Sequence, residues 1–285
     1  MRIPFTKMHG IGNDYIYVNC MEKELEDPNR ISFVMSPRHF SVGADGLVMI
    51  CSSKIADAKM RMFNADGSEG KMCGNAIRCV GKYLYDNGIV QKDQISVETL
   101  SGIKYLNLNV ENGKVASVEV DMGNAILTPS EIPVIYDGER MIDVPVEVNG
   151  GTYRLTAVSM GNPHSVTFME EIDSLDLEKI GPNFENLSIF PDRVNTEFVR
   201  VIDETTLQMR VWERGSGETF ACGTGACATV VAAILNGYCK TNTPITVRLR
   251  GGDLKIICND EMRVFMTGPA TKAYEGVFEY EDSDQ

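Results

Sequence analysis

Cys73-Gly74-Asn75-Ala76-Ile77-Arg78-Cys79-Val80-Gly81-Lys82-Tyr83-Leu84-Tyr85-Asp86-Asn87-Gly88 sets the architecture, because its two ends return further along the chain. Cys73-Gly74 recurs as Cys222-Gly223 and Asn87-Gly88 as Asn236-Gly237, both 149 positions on (222 − 73 and 236 − 87). Gly12-Asn13 recurs as Gly161-Asn162 at the same offset, and Arg61-Met62-Phe63-Asn64 lies on Arg210-Val211-Trp212-Glu213 without a gap. Glycines match often by chance. A register shared by Cys-Gly, Gly-Asn and Asn-Gly pairs reads instead as an internal duplication. The echo continues with small slips: Ile95-Ser96-Val97 and Gly102 fall on Ile245-Thr246-Val247 and Gly252, and Met122-Gly123 on Thr267-Gly268.

The duplication predicts two pseudo-symmetric domains of an α+β class, residues 1–125 and 126–270. Thr128-Pro129-Ser130, Ile132-Pro133 and Asp137-Gly138 read as the crossing between them. Each half shows short alternating segments, such as Gln94-Ile95-Ser96-Val97-Glu98, Ser117-Val118-Glu119-Val120-Asp121 and Arg200-Val201-Ile202, followed by a single strong helix. The first helix is expected from Gly74-Asn75 to Asn87-Gly88, a pair suited to a left-handed cap. Ile77, Val80 and Leu84 make its apolar face, while Arg78, Lys82 and Asp86, four apart, read as a wet stripe. The second helix, Gly223 to Asn236, carries no charge between Thr224 and Leu235, so it is expected to be buried all round and wrapped by mostly antiparallel sheet.

Composition narrows the function classes. The 285 residues carry 40 acidic against 27 basic side chains, a formal charge of −13, which repels nucleic-acid backbones and acidic membrane surfaces. Neither is an expected partner. No stretch approaches about 18 uninterrupted apolar residues, and the start Met1-Arg2-Ile3-Pro4-Phe5-Thr6-Lys7 has no apolar leader, which predicts a cytoplasmic protein. Eight cysteines without a C-x-x-C pair and three scattered histidines predict no zinc site, and a reducing compartment keeps the cysteines as thiols.

Both repeated cysteines stand immediately before a helix start, where unpaired N–H groups and the positive end of the dipole favour an anion and ease loss of the thiol proton. A single cysteine so placed is more often a small buried hydrophobe. Two equivalent ones suit inversion at carbon, which needs a base on one face, an acid on the other, and stabilisation of the charge that develops between them. A thiolate, a thiol and two clusters of N–H donors supply all three without a cofactor.

The chain is similar to the diaminopimelate epimerase family from end to end. The likeness rests on Lys7-Met8-His9-Gly10-Ile11-Gly12-Asn13-Asp14, Asn64-Ala65-Asp66-Gly67-Ser68, Met72-Cys73-Gly74-Asn75, Met160-Gly161-Asn162-Pro163-His164 and Val194-Asn195. It rests equally on Glu213-Arg214-Gly215-Ser216-Gly217-Glu218-Thr219 and Ala221-Cys222-Gly223-Thr224-Gly225. The resemblance implies a cofactor-independent epimerase interconverting LL- and meso-2,6-diaminopimelate in lysine and cell-wall precursor synthesis. It implies strands wrapped around a central helix in each half, an active site between the halves, and a tail, residues 271–285, returning to the first domain. Cys73 and Cys222 are then the proton carriers. Gly74-Asn75 and Gly223-Thr224 offer donors to the carboxylate, and Asn13, Asn64, Asn162, Asn195, Glu213 and Arg214 hold the rest of the amino acid. His164 and Glu213 are implied as tuners of thiol ionisation. Many relatives are dimers, with Tyr274 an exposed aromatic for such a contact. Gly46 departs from the pattern, since many relatives carry a polar residue there.

Other readings are weaker. Gly223-Thr224-Gly225-Ala226-Cys227-Ala228 fits a loose dinucleotide-binding pattern, yet no acidic residue occurs from Thr219 through Gly252 to hold a ribose. Arg61 and Arg210 read as structural ion pairs, and Asp66 and Glu69 as a solvated turn. A proline or hydroxyproline epimerase is disfavoured because those relatives generally carry a histidine where this chain has Asn75. A redox protein switching a Cys73–Cys222 disulfide is the alternative outside that class.

Overall fold

The computed structural model describes residues 1–280. The chain forms two compact units, one made of Met1–Val120 with residues 268–280, the other of Asp121–Thr267; residues 281–285 of the expected returning tail lie outside the described residues. The first contains β1 (Arg2–Gly10), β2 (Asn13–Cys20), α1 (Pro28–Met35), β3 (Gly46–Cys51), β4 (Ala58–Asn64), β5 (Glu69–Gly70), α2 (Gly74–Asp86), β6 (Gln94–Thr99), β7 (Gly102–Glu111) and most of β8 (Lys114–Asn124). The second continues with β9 (Val144–Val148), β10 (Gly151–Ser159), β11 (Pro163–Phe168), α3 (Leu177–Glu185), β12 (Asn195–Asp203), β13 (Thr206–Glu213) and β14 (Gly217–Glu218). It closes with α4 (Gly223–Leu235), β15 (Ile245–Leu249), β16 (Gly252–Cys258) and most of β17 (Arg263–Pro269), after which β18 (Thr271–Glu279) belongs to the first unit.

The two units share one connectivity. In the first, β1 pairs antiparallel with β18 and β2, β2 runs parallel to β3, β3 antiparallel to β4, β4 parallel to β6, and β6–β7–β8 is a meander. In the second, β10 pairs antiparallel with β9 and β11, β11 runs parallel to β12, β12 antiparallel to β13, β13 parallel to β15, and β15–β16–β17 is a meander. Each sheet is mixed but mostly antiparallel, with one long helix against it.

The long helices α2 and α4 stop by the same device. The Gly88 N–H reaches the Tyr85 carbonyl and the Ile89 N–H that of Leu84; the Gly237 N–H reaches Ile234 and the Tyr238 N–H reaches Ala233. Gly88 (φ 70°) and Gly237 (φ 78°) are left-handed, as expected of glycines closing a helix. Helix α4 packs against β10, β11, β12, β13, β15 and β16, which explains its uncharged sequence.

Three expectations need correction. The stripe on α2 is not wet: Arg78 is fully buried, and Lys82 donates to the Val115 carbonyl at 2.6 Å and pairs with Asp86 at 2.9 Å. The meander over this side of the helix takes up the charges, Asp86 accepting the Val115 N–H at 3.0 Å. Each unit also has a second, shorter helix, α1 or α3, on the other face of its sheet. Ile31 and Met35 of α1 join Ile16, Leu47, Met49 and Phe63 in one core, and Leu177 and Phe184 of α3 join Leu155, Phe198 and Trp212 in another. Finally, Thr128 to Gly138 is not the crossing. Ile132 and Val134 sit in the second unit's core, and the chain changes unit within β8 and again within β17. Among the described residues no helix is long and apolar enough to cross a membrane.

Candidate active site

Cys73 occupies the N-cap of α2 in an extended conformation, its carbonyl accepting the Ile77 N–H. Its thiol is partly exposed and donates to Asn13 Oδ1 at 3.3 Å. The Asn13 amide is turned by its other end, which donates to Asp45 at 2.7 Å. Asp45 also accepts the Asp14 N–H at 3.1 Å and Arg38 at 2.9 Å, while Lys7 and Arg38 both pair with Asp14. Asn75, nearly buried, takes 2.9 Å from the Arg78 guanidinium, which also holds the Gly74 carbonyl at 3.1 Å. Gly10 must lack a side chain, since a Cβ would stand 2.9 Å from Arg78 and 3.0 Å from the Asn75 carbonyl. Asn64 ends β4 and donates to Ser68 at 2.9 Å; no hydrogen bond described for it reaches this cluster.

Cys222 is the N-cap of α4 and is far more enclosed, 4% exposed. Its sulfur accepts the Gly225 N–H at 3.3 Å and lies 3.5 Å from Thr224 Oγ1. Thr224 is reached at 3.4 Å by Asn162 Nδ2, and Asn162 Oδ1 is 3.1 Å from His164 Nε2. The other imidazole nitrogen lies 2.7 Å from Glu197, both side chains fully buried. Glu213 accepts Thr219 Oγ1 and lies beside the Cys222 thiol. Burial raises the Glu213 carboxyl above the ordinary carboxylate range, opposed by Thr219, Cys222 and His164. Burial also pushes the Cys222 thiol well above an ordinary thiol, and the charges of Glu213 and Glu197 push the same way. The Cys222 thiol therefore keeps its proton at neutral pH, an acid ready to deliver it. Asn195 accepts the Arg214 N–H and donates to the Pro163 carbonyl, both at 2.9 Å, so it fixes the backbone that carries Arg214.

The sequence profile of the diaminopimelate epimerase family matches residues 5–128 and 156–273. A diaminopimelate epimerase of Acetivibrio thermocellus is 58% identical over 273 residues, 95% of this chain and 97% of that one. One from Methanococcus maripaludis is 55% identical, covering 95% and 98%. The chain belongs to the diaminopimelate epimerase family. Among solved structures, a probable proline racemase of Agrobacterium radiobacter superposes with a TM-score of 0.73 over 99% of this chain and 93% of that one, at 14% identity. A hydroxyproline epimerase of Agrobacterium vitis gives 0.72 over 97% and 91%, at 15%. These two likenesses are likenesses of fold.

Sequence reasoning misses several partners of these residues, two of them, Arg78 and Glu197, fully buried. Asp45 turns Asn13, Arg78 holds Asn75, Thr219 meets Glu213, and Glu197 meets His164. Glu197 had a signal: it lies two residues after Asn195 in a strand, hence on the same face. The departure at Gly46 has a steric cause, since a Cβ there would lie 2.0 Å from the Phe63 carbonyl oxygen. Arg61 and Arg210 are committed to ion pairs, with Glu69 and Glu218, each at 2.8 Å. Among the described residues no group of three or more His, Cys, Asp and Glu is placed to hold a metal ion.

Proposed function

We infer that this chain interconverts LL- and meso-2,6-diaminopimelate, the isomerase step its relatives carry in lysine and cell-wall precursor synthesis, with Cys73 and Cys222 as the two proton carriers. What supports the assignment of the sulfurs is that each caps a helix of 13 residues at the same point of the same connectivity. One thiolate takes the α-proton; the C–H electron pair is left on carbon and spreads into the carboxylate. The other thiol gives its proton to the opposite face and becomes the thiolate, so the next turnover runs in reverse.

The N–H groups at Gly74-Asn75 and Gly223-Thr224 have no acceptor inside their helices and serve the developing carboxylate charge. Asn13, Asn64, Asn162, Asn195, Glu213 and Arg214 serve the remaining amine and carboxylates, a mixed set suited to a substrate with both signs of charge at each end. Glu213 and His164 set the protonation of the sulfurs. A cytoplasmic location belongs to this reading, because the chemistry requires free thiols.

In deuterium oxide, LL-diaminopimelate should acquire deuterium at the α-carbon, whereas proline and hydroxyproline supplied side by side should not. Exchange into proline alone would move the chain to the neighbouring specificity, and exchange into none would favour the redox reading. Cys73→Ser and Cys222→Ser should each lose turnover by roughly 100-fold or more, since a hydroxyl is too weak an acid for either role.

A further inference from the structure

Glu197 and Asn195 share the face of β12 that α4 packs against. Glu197 is fully buried, and while its Oε1 meets His164, its Oε2 has no hydrogen-bond partner among the described residues. An unpaired buried oxygen is costly, more so when charged, and an apolar side chain of like volume would remove that cost. The fold keeps the carboxyl regardless, and makes room for it. A Cβ on Gly225 would stand 2.6 Å from Glu197 Oε1 and 3.1 Å from Cys222 Sγ, so carboxyl and sulfur flank a single glycine in the first turn of α4.

The hydrogens can be assigned from the acceptors. Asn162 presents its oxygen to His164 Nε2, its amide nitrogen being turned to Thr224, so Nε2 carries a hydrogen. Between Nδ1 and Glu197 there is then one more, whichever atom owns it. Both ring nitrogens are thereby engaged and the imidazole cannot rotate. A continuous line results: Glu197, His164, Asn162, Thr224, Cys222, with separations of 2.7, 3.1, 3.4 and 3.5 Å.

We propose that Glu197 is a positioning residue of the reaction, fixing His164 and, through Asn162 and Thr224, the direction in which the Cys222 sulfur presents its proton. This rests on the reading of Cys222 given above and deepens it. Glu197→Gln keeps the shape and replaces the carboxyl by an amide. It should lower kcat by about 10- to 100-fold and change KM by less than about threefold, the split expected when alignment in the transition state is lost but ground-state binding is not. Independently of turnover, alkylation of Cys222 followed by peptide mass spectrometry should reach its midpoint at lower pH, because the carboxyl, the end of the Glu197–His164 pair that faces the sulfur across Gly225, no longer raises the thiol. In a His164→Asn background, adding Glu197→Gln should cost less than about threefold more, as for two members of one line.

Additive losses, a change confined to KM, or an unmoved alkylation curve would each overturn the proposal. If Glu197→Gln does not fold, Glu197→Asp replaces it: the carboxyl stays but retracts, so kcat should fall with the alkylation curve in place, and wild-type turnover would be the contrary result. Wild-type turnover in Cys222→Ser would instead bring down the reading of Cys222 itself, which the alkylation curve does not depend on.

Discussion

Cys73 and Cys222 are equivalent in sequence and unequal in surroundings. The first is partly exposed and bonded to an amide oxygen; the second is 4% exposed, beside two carboxyls, with its ionisation pushed well up. Since the thiolate is the nucleophile, iodoacetamide at neutral pH should label Cys73 well before Cys222, and labelling of Cys222 should climb only as the pH rises through its raised value. Peptide mass spectrometry over a time course reads both, and equal rates would mean that burial and charge do not separate the sulfurs. Glu213 was legible through the family resemblance, but the rest of the difference was not, because it comes from residues distant in sequence: Glu197 for one sulfur, Asn13 for the other. Arg78 shows the same limit. Spacing alone put it on a wet stripe with Lys82 and Asp86, and only the close approach of Gly10 and the bonds to the Asn75 side chain and the Gly74 carbonyl show a buried guanidinium holding the first turn of α2.

The four helices separate what sequence makes plain from what it hides. Helices α2 and α4 were legible because start and stop signals bracket them and each is long enough for its apolar pattern to accumulate. Gly88 and Gly237 both turn left-handed with open space around them, so Ala at either should pay only the conformational cost, about 1–2 kcal/mol, with Asn tolerated better. Urea midpoints of the two variants should fall by similar amounts; a large inequality would mean that the two ends are not the same device. The shorter helices escaped because eight or nine residues hold little periodicity, and Pro182 interrupts α3. Even so, Asp27-Pro28 is an N-cap followed by a first-turn proline, its carboxylate accepting the Arg30 N–H at 3.2 Å. Pro28 and Leu177 open the two helices 149 residues apart (177 − 28), so the duplication already pointed to them.

For the molecule as a whole the duplication is permuted. β9 stands just before β10 in the chain and pairs with it, whereas the equivalent place beside β1 is taken by β18, from the far end of the described chain. Matching motifs reveals the repeat but not this exchange, since β9 and β18 share no dipeptide by which to align them. The cost of so long a closure grows only slowly with loop length, so the arrangement is affordable, but it makes the first unit depend on the last strand. Without β18, β1 becomes an open edge, and Phe5, against which Gly276 packs so closely that a Cβ would come within 2.7 Å of the ring, loses its cover. A chain ending at Ala270 should therefore lose stability in the first unit alone. Trp212, the single tryptophan, lies buried in the second unit with its indole N–H on Glu185 at 2.8 Å, so its fluorescence reports that unit while far-ultraviolet circular dichroism reports both. In urea the truncated chain should show an early dichroism transition with the tryptophan midpoint held near that of the full chain. If both signals shifted together, the second unit would owe its stability to the strand as well, and the two halves would have to be treated as one cooperative body.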